Sequence, residues 1–383
     1  MTVLVPRIAA ELASDVYLVQ NPYSVRAFFS RPEFSSDIRK KAHLTATVGF
    51  RIANVKDGFG VCAVGAGEYK NDVFLIFRGS TNKNNMADWV SNARIGVEFS
   101  KTGRPVHLGF NHIFTSMLPD IEAFMAENHV SGTIHCLGHS LGGAVATLAA
   151  DWVKNNFGNT VKLYTFGAPR PGLLLFAQHV SNKLQKKNIY RTYHATDPVP
   201  MIPVFPFMHP PLPGYGHCIP SNENILSADA HDRVKYINSV RFSSWEDLEK
   251  RKPPYSAESV VEQWLESANP VNPADPKVWQ WIDASLNYVI KKVVGVVFVS
   301  LQGIGTGLMT IADKIAWVLQ KGIDLSLHIG RLVFHLMRKI MQALSMAALH
   351  TDAEITQLFI REILVKLMMK MNTEAQMAIY KYN

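Results

Sequence analysis

Residues 133–143 read Thr133-Ile134-His135-Cys136-Leu137-Gly138-His139-Ser140-Leu141-Gly142-Gly143, and their reading decides the fold. Thr133–Leu137 is a short apolar run of strand character. Gly142–Lys154 is rich in alanine and predicts a helix. Between them lies G-x-S-x-G. A strand that passes into a helix through so sharp a turn leaves room only for glycine on either side of the serine. The turn lifts the Ser140 hydroxyl to the carboxyl edge of a sheet, at the positive end of the following helix. Ser140 is therefore the candidate nucleophile.

The flanking sequence supplies the sheet. Residues 44–54, 59–65, Asp72–Phe77, Val161–Phe166 and Ile189–His194 have strand character, and Phe110–Asn128 is helical. Helix and strand alternate through the middle of the chain, which predicts a mostly parallel sheet with helices on both faces. At the amino end Ile8, Leu12, Val16 and Val19 recur at spacings of four, four and three, the period of an amphipathic helix. Arg7, Glu11 and Asp15 interrupt any apolar run there, so Met1–Gln20 does not read as a signal peptide. The expectation is a protein made in the cytoplasm.

A serine nucleophile needs a base, and the base needs an acid to orient it. Asp197, in Ala195-Thr196-Asp197-Pro198-Val199-Pro200, lies just past the strand Ile189–His194 and is the candidate acid. Two histidines compete as base: His217 in Gly214-Tyr215-Gly216-His217, and His231 in Ala230-His231-Asp232-Arg233-Val234-Lys235-Tyr236. Spacing does not choose between them.

Composition narrows the class. The chain has 383 residues, 48% of them hydrophobic and 18% charged, which suits a packed core and excludes disorder as the main state. Three cysteines, Cys62, Cys136 and Cys218, offer neither a disulfide framework nor metal-ligand spacing, and hydrolysis by a serine, its base and its acid needs no metal or organic cofactor. The net charge of +8 is spread along the chain without a dense basic block or a nucleic-acid-binding motif. No nucleic-acid partner is expected, and diffuse positive charge suits an anionic lipid surface.

Taken in order, these motifs resemble the class 3 (fungal-type) lipases over roughly residues 10–245. The matching stretches are Phe77-Arg78-Gly79-Ser80 with Asp88-Trp89, Val106-His107-Leu108-Gly109-Phe110, Gly138–Gly143, Phe166-Gly167-Ala168-Pro169-Arg170-Pro171-Gly172, Asp197-Pro198-Val199-Pro200 and the two histidine motifs. The resemblance implies an α/β-hydrolase fold and a triad of Ser140, Asp197 and His231. His217 then becomes a structural neighbour or an alternative base. It also implies an oxyanion hole formed by the backbone N–H groups of Ser80 and Leu141. Thr81–Met86, where the family carries its lid, is short and polar, so a large apolar lid is not expected there.

Beyond about residue 250 the family pattern ends. The expected organisation is a lipase domain over residues 1–250, a proline-rich linker over 251–277 and a helical, apolar region over 278–383, which contains no proline. Val293–Ile311 runs 19 residues without a charge, close to a membrane span, although Gln302 and several glycines and threonines interrupt it. Leu325, Ile329, Leu332, Leu336, Ile340 and Leu344 form a helical stripe, with Arg331, Arg338 and Lys339 off it, the pattern of a basic amphipathic helix. Such a region either packs on the lipase domain or docks on lipid. If it docks, a chain ended near Ala268 keeps soluble-ester hydrolysis and loses attack on vesicles. If it packs, that chain loses both.

A class 3 lipase with a lipid-seeking helical tail resembles the bacterial lipase effectors of type VI secretion. That resemblance implies phospholipase A1-like hydrolysis of membrane glycerophospholipids. It also implies a cognate immunity protein, a partner in the secretion apparatus and action at a target-cell membrane. The alternatives are a neutral triacylglycerol lipase and a membrane-permeabilising protein whose tail carries the activity.

Overall fold

The computed structural model describes residues 2–48, 55–80, 96–128, 130–212, 214, 216–220, 226–253, 255, 257–296, 310–347 and 355–381. Asp88-Trp89, Thr81–Met86, Tyr215 and most of the uncharged run Val293–Ile311 lie outside them.

Seven strands form the main sheet in the order β1 (Lys41–Val48), β2 (Val55–Val64), β3 (Val73–Phe77), β6 (Ile134–His139), β7 (Val161–Phe166), β9 (Ile189–His194), β11 (His217–Ile219). The first three are antiparallel neighbours, and β3, β6, β7, β9 and β11 run parallel. Sequence and structure agree on a mostly parallel α/β sheet. Both faces are covered, so the central strands alternate between two cores rather than between core and water. Val73, Leu75 and Phe77 point to one core, Phe74 and Ile76 to the other. Along β7, Val161 and Leu163 join the first, Tyr164 and Phe166 the second.

The first core is closed by α2 (Leu108–Glu127), α3 (Leu141–Asn156) and α4 (Leu174–Leu184), and the second by α1 (Pro6–Asp15), α5 (Arg233–Val240) and α6 (Trp245–Glu249). The structure adds a separate antiparallel sheet that the sequence pattern does not predict, in the order β10 (Phe207–Met208), β8 (Gly172–Leu173), β5 (Pro105–His107), β4 (Val97–Phe99). Its strands of two or three residues are too short to show a period.

The carboxyl-terminal region is α-helical: α8 (Pro276–Val296), α9 (Ile311–Leu325), α10 (Leu327–Ala343) and α11 (Gln357–Lys381). The proline-rich stretch before it contains a further helix, α7 (Glu258–Glu266), with Val261 and Leu265 buried. Among the described residues no helix is long and apolar enough to cross a membrane. Ile282, Leu286, Val289, Leu319, Leu336 and Leu367 belong to the same continuous apolar cluster as Val106, Phe110 and Met201 of the preceding region. Each such side chain contributes roughly 1.5–3 kcal/mol by leaving water. A chain ended at Ala268 is therefore expected to be insoluble, or inactive on soluble ester and vesicle alike. A soluble truncated chain with undiminished soluble-ester turnover would show the region to be an independent module.

One expectation is overturned here. Lys339 does not lie on a solvated basic face; it is 1% exposed. Its Nζ donates to Ser267 O (3.0 Å), Ser267 Oγ (3.0 Å) and Asn269 O (2.9 Å), and lies 5.1 Å from the Trp264 ring centroid. Arg338 Nη2 also donates to Ser267 O (3.1 Å). These two cations serve the carboxyl end of α7, whose last carbonyls have no partner inside the helix. Leu325, expected on the apolar stripe, is 47% exposed.

Candidate active site

The sharp turn between β6 and α3 follows from close packing. A Cβ on Gly138 would lie 2.2 Å from the Gly142 carbonyl carbon, and one on Gly142 2.1 Å from Phe77 O. Neither site admits a side chain. Ser140 itself is held at φ 56°, ψ −134°, a backbone conformation that L-residues rarely adopt. Two backbone bonds hold it there: Ser140 N donates to Phe166 O and Gly143 N to Ser140 O, both 2.9 Å.

The structure brings Ser140, His231 and Asp197 together. Ser140 Oγ lies 2.9 Å from His231 Nε2, and His231 Nδ1 lies 2.9 Å from Asp197 Oδ2. A carboxylate only accepts, so Nδ1 carries the proton and Nε2 is free to accept one from the serine. All three residues are buried, Asp197 completely. Asp197 Oδ1 accepts from Val199 N (2.9 Å), and Oδ2 also accepts from the Tyr236 hydroxyl (2.7 Å). With both oxygens engaged, the carboxylate has one orientation. Gly167, at φ 57°, leaves it room: a Cβ there would sit 2.8 Å from Asp197 Oδ2 and 3.1 Å from His231 Nδ1.

His217 is placed elsewhere. It opens β11, pairs in register with Thr192, and stacks on Tyr190 at 6.3 Å and near Trp245 at 5.2 Å. It makes no contact with Ser140 or Asp197 among the described residues.

Ser80 and Leu141 flank Ser140. Leu141 is the first residue of α3, so its N–H has no acceptor inside the helix. Ser80 follows Gly79, whose Cα packs so tightly on Ser140 that an added Cβ would come within 2.9 Å of the serine Cβ. The Ser80 hydroxyl is buried without a partner among the described residues. Arg78, 2% exposed, donates from Nη1 to Gly79 O (2.7 Å) and from Nε to Gly58 O, fixing the peptide that leads into Ser80.

Two further histidines hold the His231 segment, and sequence reasoning gives them no role. His139 Nε2 donates to His231 O (2.9 Å), and its Nδ1 accepts from the Tyr17 hydroxyl (2.9 Å). His194 Nδ1 donates to Ala230 O (2.6 Å), and its Nε2 accepts from Ser239 Oγ (2.8 Å). The backbone at His231 is thus gripped at two successive carbonyls. Burial holds His139 well below the usual histidine range and pushes Tyr17 up to about 12, so both stay neutral. The only signal for them in the sequence is position: His139 is the residue before the serine, and His194 ends the strand before the acid.

Burial also pulls His107 down to about 3 and His217 down to about 4. Unfolded histidines titrate near 6.5. Below that pH the unfolded chain takes up protons that the folded chain refuses, so stability falls as pH drops from about 6.5 towards 4. Asp151, raised to about 6 by burial, and Asp15, also raised by burial, act in the opposite sense but are two carboxyls against several buried imidazoles. The expected result is a melting temperature that declines steadily between pH 6.5 and 4; a level or rising profile would contradict it.

Residues 74–207 match the family model described as Lipase (class 3). Through this segment the chain is similar to the class 3 lipases. It is 32% identical over 181 residues to secreted mono- and diacylglycerol lipase 1 of Fusarium solani, covering 46% of this chain and 50% of that protein. It is 35% identical over 102 residues to Toxin TseL of Vibrio cholerae serotype O1, covering 26% of this chain and 15% of the toxin. The chain spans about half the length of the first of these relatives. Among solved structures, the nonglycosylated LIP2 lipase of Yarrowia lipolytica superposes with a TM-score of 0.41 at 19% identity, covering 57% of this chain and 79% of that one. No group of three or more potential metal ligands occurs among the described residues.

Proposed function

We propose that this protein is a serine carboxylic ester hydrolase that cleaves acyl esters of membrane glycerophospholipids. The observation that carries the reading is the unbroken chain from Ser140 Oγ through His231 to Asp197. In this reading Ser140 Oγ attacks the acyl carbonyl carbon, and His231 Nε2 takes the hydroxyl proton. Asp197 holds the imidazole in the required tautomer and stabilises the imidazolium. The backbone N–H groups of Ser80 and Leu141 receive the negative charge that develops on the carbonyl oxygen. Collapse breaks the ester C–O bond, and the departing glycerol oxygen takes the proton from His231. Water, deprotonated by His231, then attacks the acyl-enzyme and releases the fatty acid with Ser140 regenerated.

Residues 1–250 carry this chemistry in our reading. The diffuse charge of +8 supports an anionic phospholipid surface as the substrate phase. The similarity to a named toxin supports an antibacterial effector, exported by a dedicated secretion system and paired with an immunity protein. A second reading, hydrolysis of neutral acylglycerols, is favoured by the fungal relatives, which are named mono- and diacylglycerol lipases. The two separate in one experiment. The purified chain is incubated with defined phosphatidylglycerol, phosphatidylethanolamine, diacylglycerol and triacylglycerol vesicles or emulsions, and the products are identified. Release of fatty acid and lysophospholipid supports the first reading. Turnover confined to acylglycerols replaces it with the second. The toxin reading requires that wild type directed to the bacterial periplasm arrests growth while Ser140→Ala does not.

A further inference from the structure

The helices beyond residue 250 touch the catalytic edge of the sheet at points close in sequence to the acid and the base. Gln280 of α8 is 8% exposed, and its Nε2 donates to Ala195 O, two residues before Asp197. One turn along the same helix, Asp283 Oδ2 lies 2.7 Å from Arg170 Nη2. Arg170 N in turn donates to Ile202 O (2.8 Å) and Arg170 Nη1 to Pro203 O (3.3 Å), tying that loop to the segment after the acid. At the far end of α11, Lys381 Nζ pairs with Asp229 Oδ1 at 2.5 Å, two residues before His231. Helix α11 also packs along the turns Val199–Met201 and Ala228–His231.

We infer that α8 and α11 position the triad, with Gln280 as the principal positioning residue. The inference rests on the hydrolase reading for its kinetic consequence. The geometry of the acid's turn gives Gln280 its leverage. Asp197 N donates to His194 O (3.2 Å), which closes a four-residue turn, and Ala195 N donates to Ile219 O (3.0 Å). Ala195 O belongs to the central peptide of that turn. Rotation of the central peptide is what interconverts the common turn types, and it changes ψ of Ala195 and φ of Thr196 together, one residue before Asp197. Gln280 holds this carbonyl from a helix outside the family-matched segment. Without the amide, the carbonyl is left without that donor, and the peptide that sets the Thr196 backbone, one residue before Asp197, loses its restraint. Lys381–Asp229 is half exposed at both ends, so it contributes less.

The test uses the full chain and a soluble short-chain ester, p-nitrophenyl butyrate, which removes any dependence on lipid binding. Gln280→Met keeps the length of the side chain and removes the donor. It is expected to lower kcat by about 10- to 100-fold, the range for ångström-scale misplacement of a catalytic group, while KM stays within about twofold. Gln280→Glu can donate only while its carboxyl is protonated, so its kcat relative to wild type is expected to fall as pH rises. Lys381→Met is expected to lose about two- to fivefold in kcat, recovered in Lys381→Arg. Lys366→Met, which removes an exposed pair internal to α11, is the control and leaves kcat unchanged.

The downfield proton resonance of His231 Nδ1–H, which reports its bond to Asp197, is followed in parallel. It should shift or vanish in Gln280→Met and be retained in Lys366→Met. A Gln280→Met protein with wild-type kcat and resonance but a lower melting temperature would overturn the inference, as would a Gln280→Glu profile parallel to wild type. If Gln280→Met does not fold, unchanged kcat in Lys381→Met together with a parallel Gln280→Glu profile would do the same. A wild-type protein that turns over no ester yet loses the resonance on Gln280→Met would sink the hydrolase reading and leave the positioning role standing.

Discussion

Ser140→Ala is expected to lower kcat for ester hydrolysis by about six orders of magnitude while leaving the fold intact. The size follows from what the change removes. Without Oγ no acyl-enzyme forms, and His231 loses the proton it is placed to accept. What survives is substrate binding and stabilisation of the oxyanion by Ser80 and Leu141, which in serine hydrolases still gives roughly 10³–10⁴-fold over water. The fold is spared because the features that hold the turn are backbone: Ser140 N to Phe166 O, Gly143 N to Ser140 O, and the contacts of Gly138 and Gly142. Steady-state turnover of a soluble ester, beside a melting curve, checks both halves. Near-wild-type turnover would remove Ser140 from the chemistry.

How much of such a site is legible in the amino-acid sequence depends on the range of the interactions that build it. The turn around Ser140 is legible because strand, turn and helix are adjacent in sequence and only glycine fits beside the serine. Asp197 is legible as the polar residue that follows a buried strand. The choice between His217 and His231 is not open to spacing, since both simply follow the acid in sequence; the family resemblance supplies it. Tyr236, His139 and His194 escape sequence reasoning as supports because their partners are backbone carbonyls and a carboxylate distant in sequence. The two-residue strands β8 and β10 carry no periodic signal. In the tail, the period of Ile329, Leu332, Leu336 and Ile340 predicts a buried stripe, which the structure has. That period does not reveal that Lys339, one position before Ile340 on the adjoining face, is buried by the carbonyls of Ser267 and Asn269.

The second large effect discriminates between the histidines. His231→Ala is expected to lose as much activity as Ser140→Ala, and the double variant no more than either, because nucleophile and base act as one unit. The geometry requires this coupling. Nε2 is the atom 2.9 Å from Ser140 Oγ, and Nδ1 is the atom 2.9 Å from Asp197 Oδ2, so one ring carries both contacts. His217 offers neither. Its ring lies against Tyr190 and Trp245 in the wall beside β9, where burial keeps it neutral above about pH 4. His217→Ala should therefore keep turnover within a few-fold of wild type. It should lose about 1–3 kcal/mol of stability through the space left between two aromatic rings. It should also lose part of the acid sensitivity of the melting temperature, because one of the imidazoles that the unfolded chain protonates below about pH 6.5 is gone. The opposite ranking, with His217→Ala inactive and His231→Ala active but unstable, would transfer the role of base to His217. It would then require the loop carrying residues 228–231 to leave the serine before turnover, against the grip of His139 and His194 on its carbonyls.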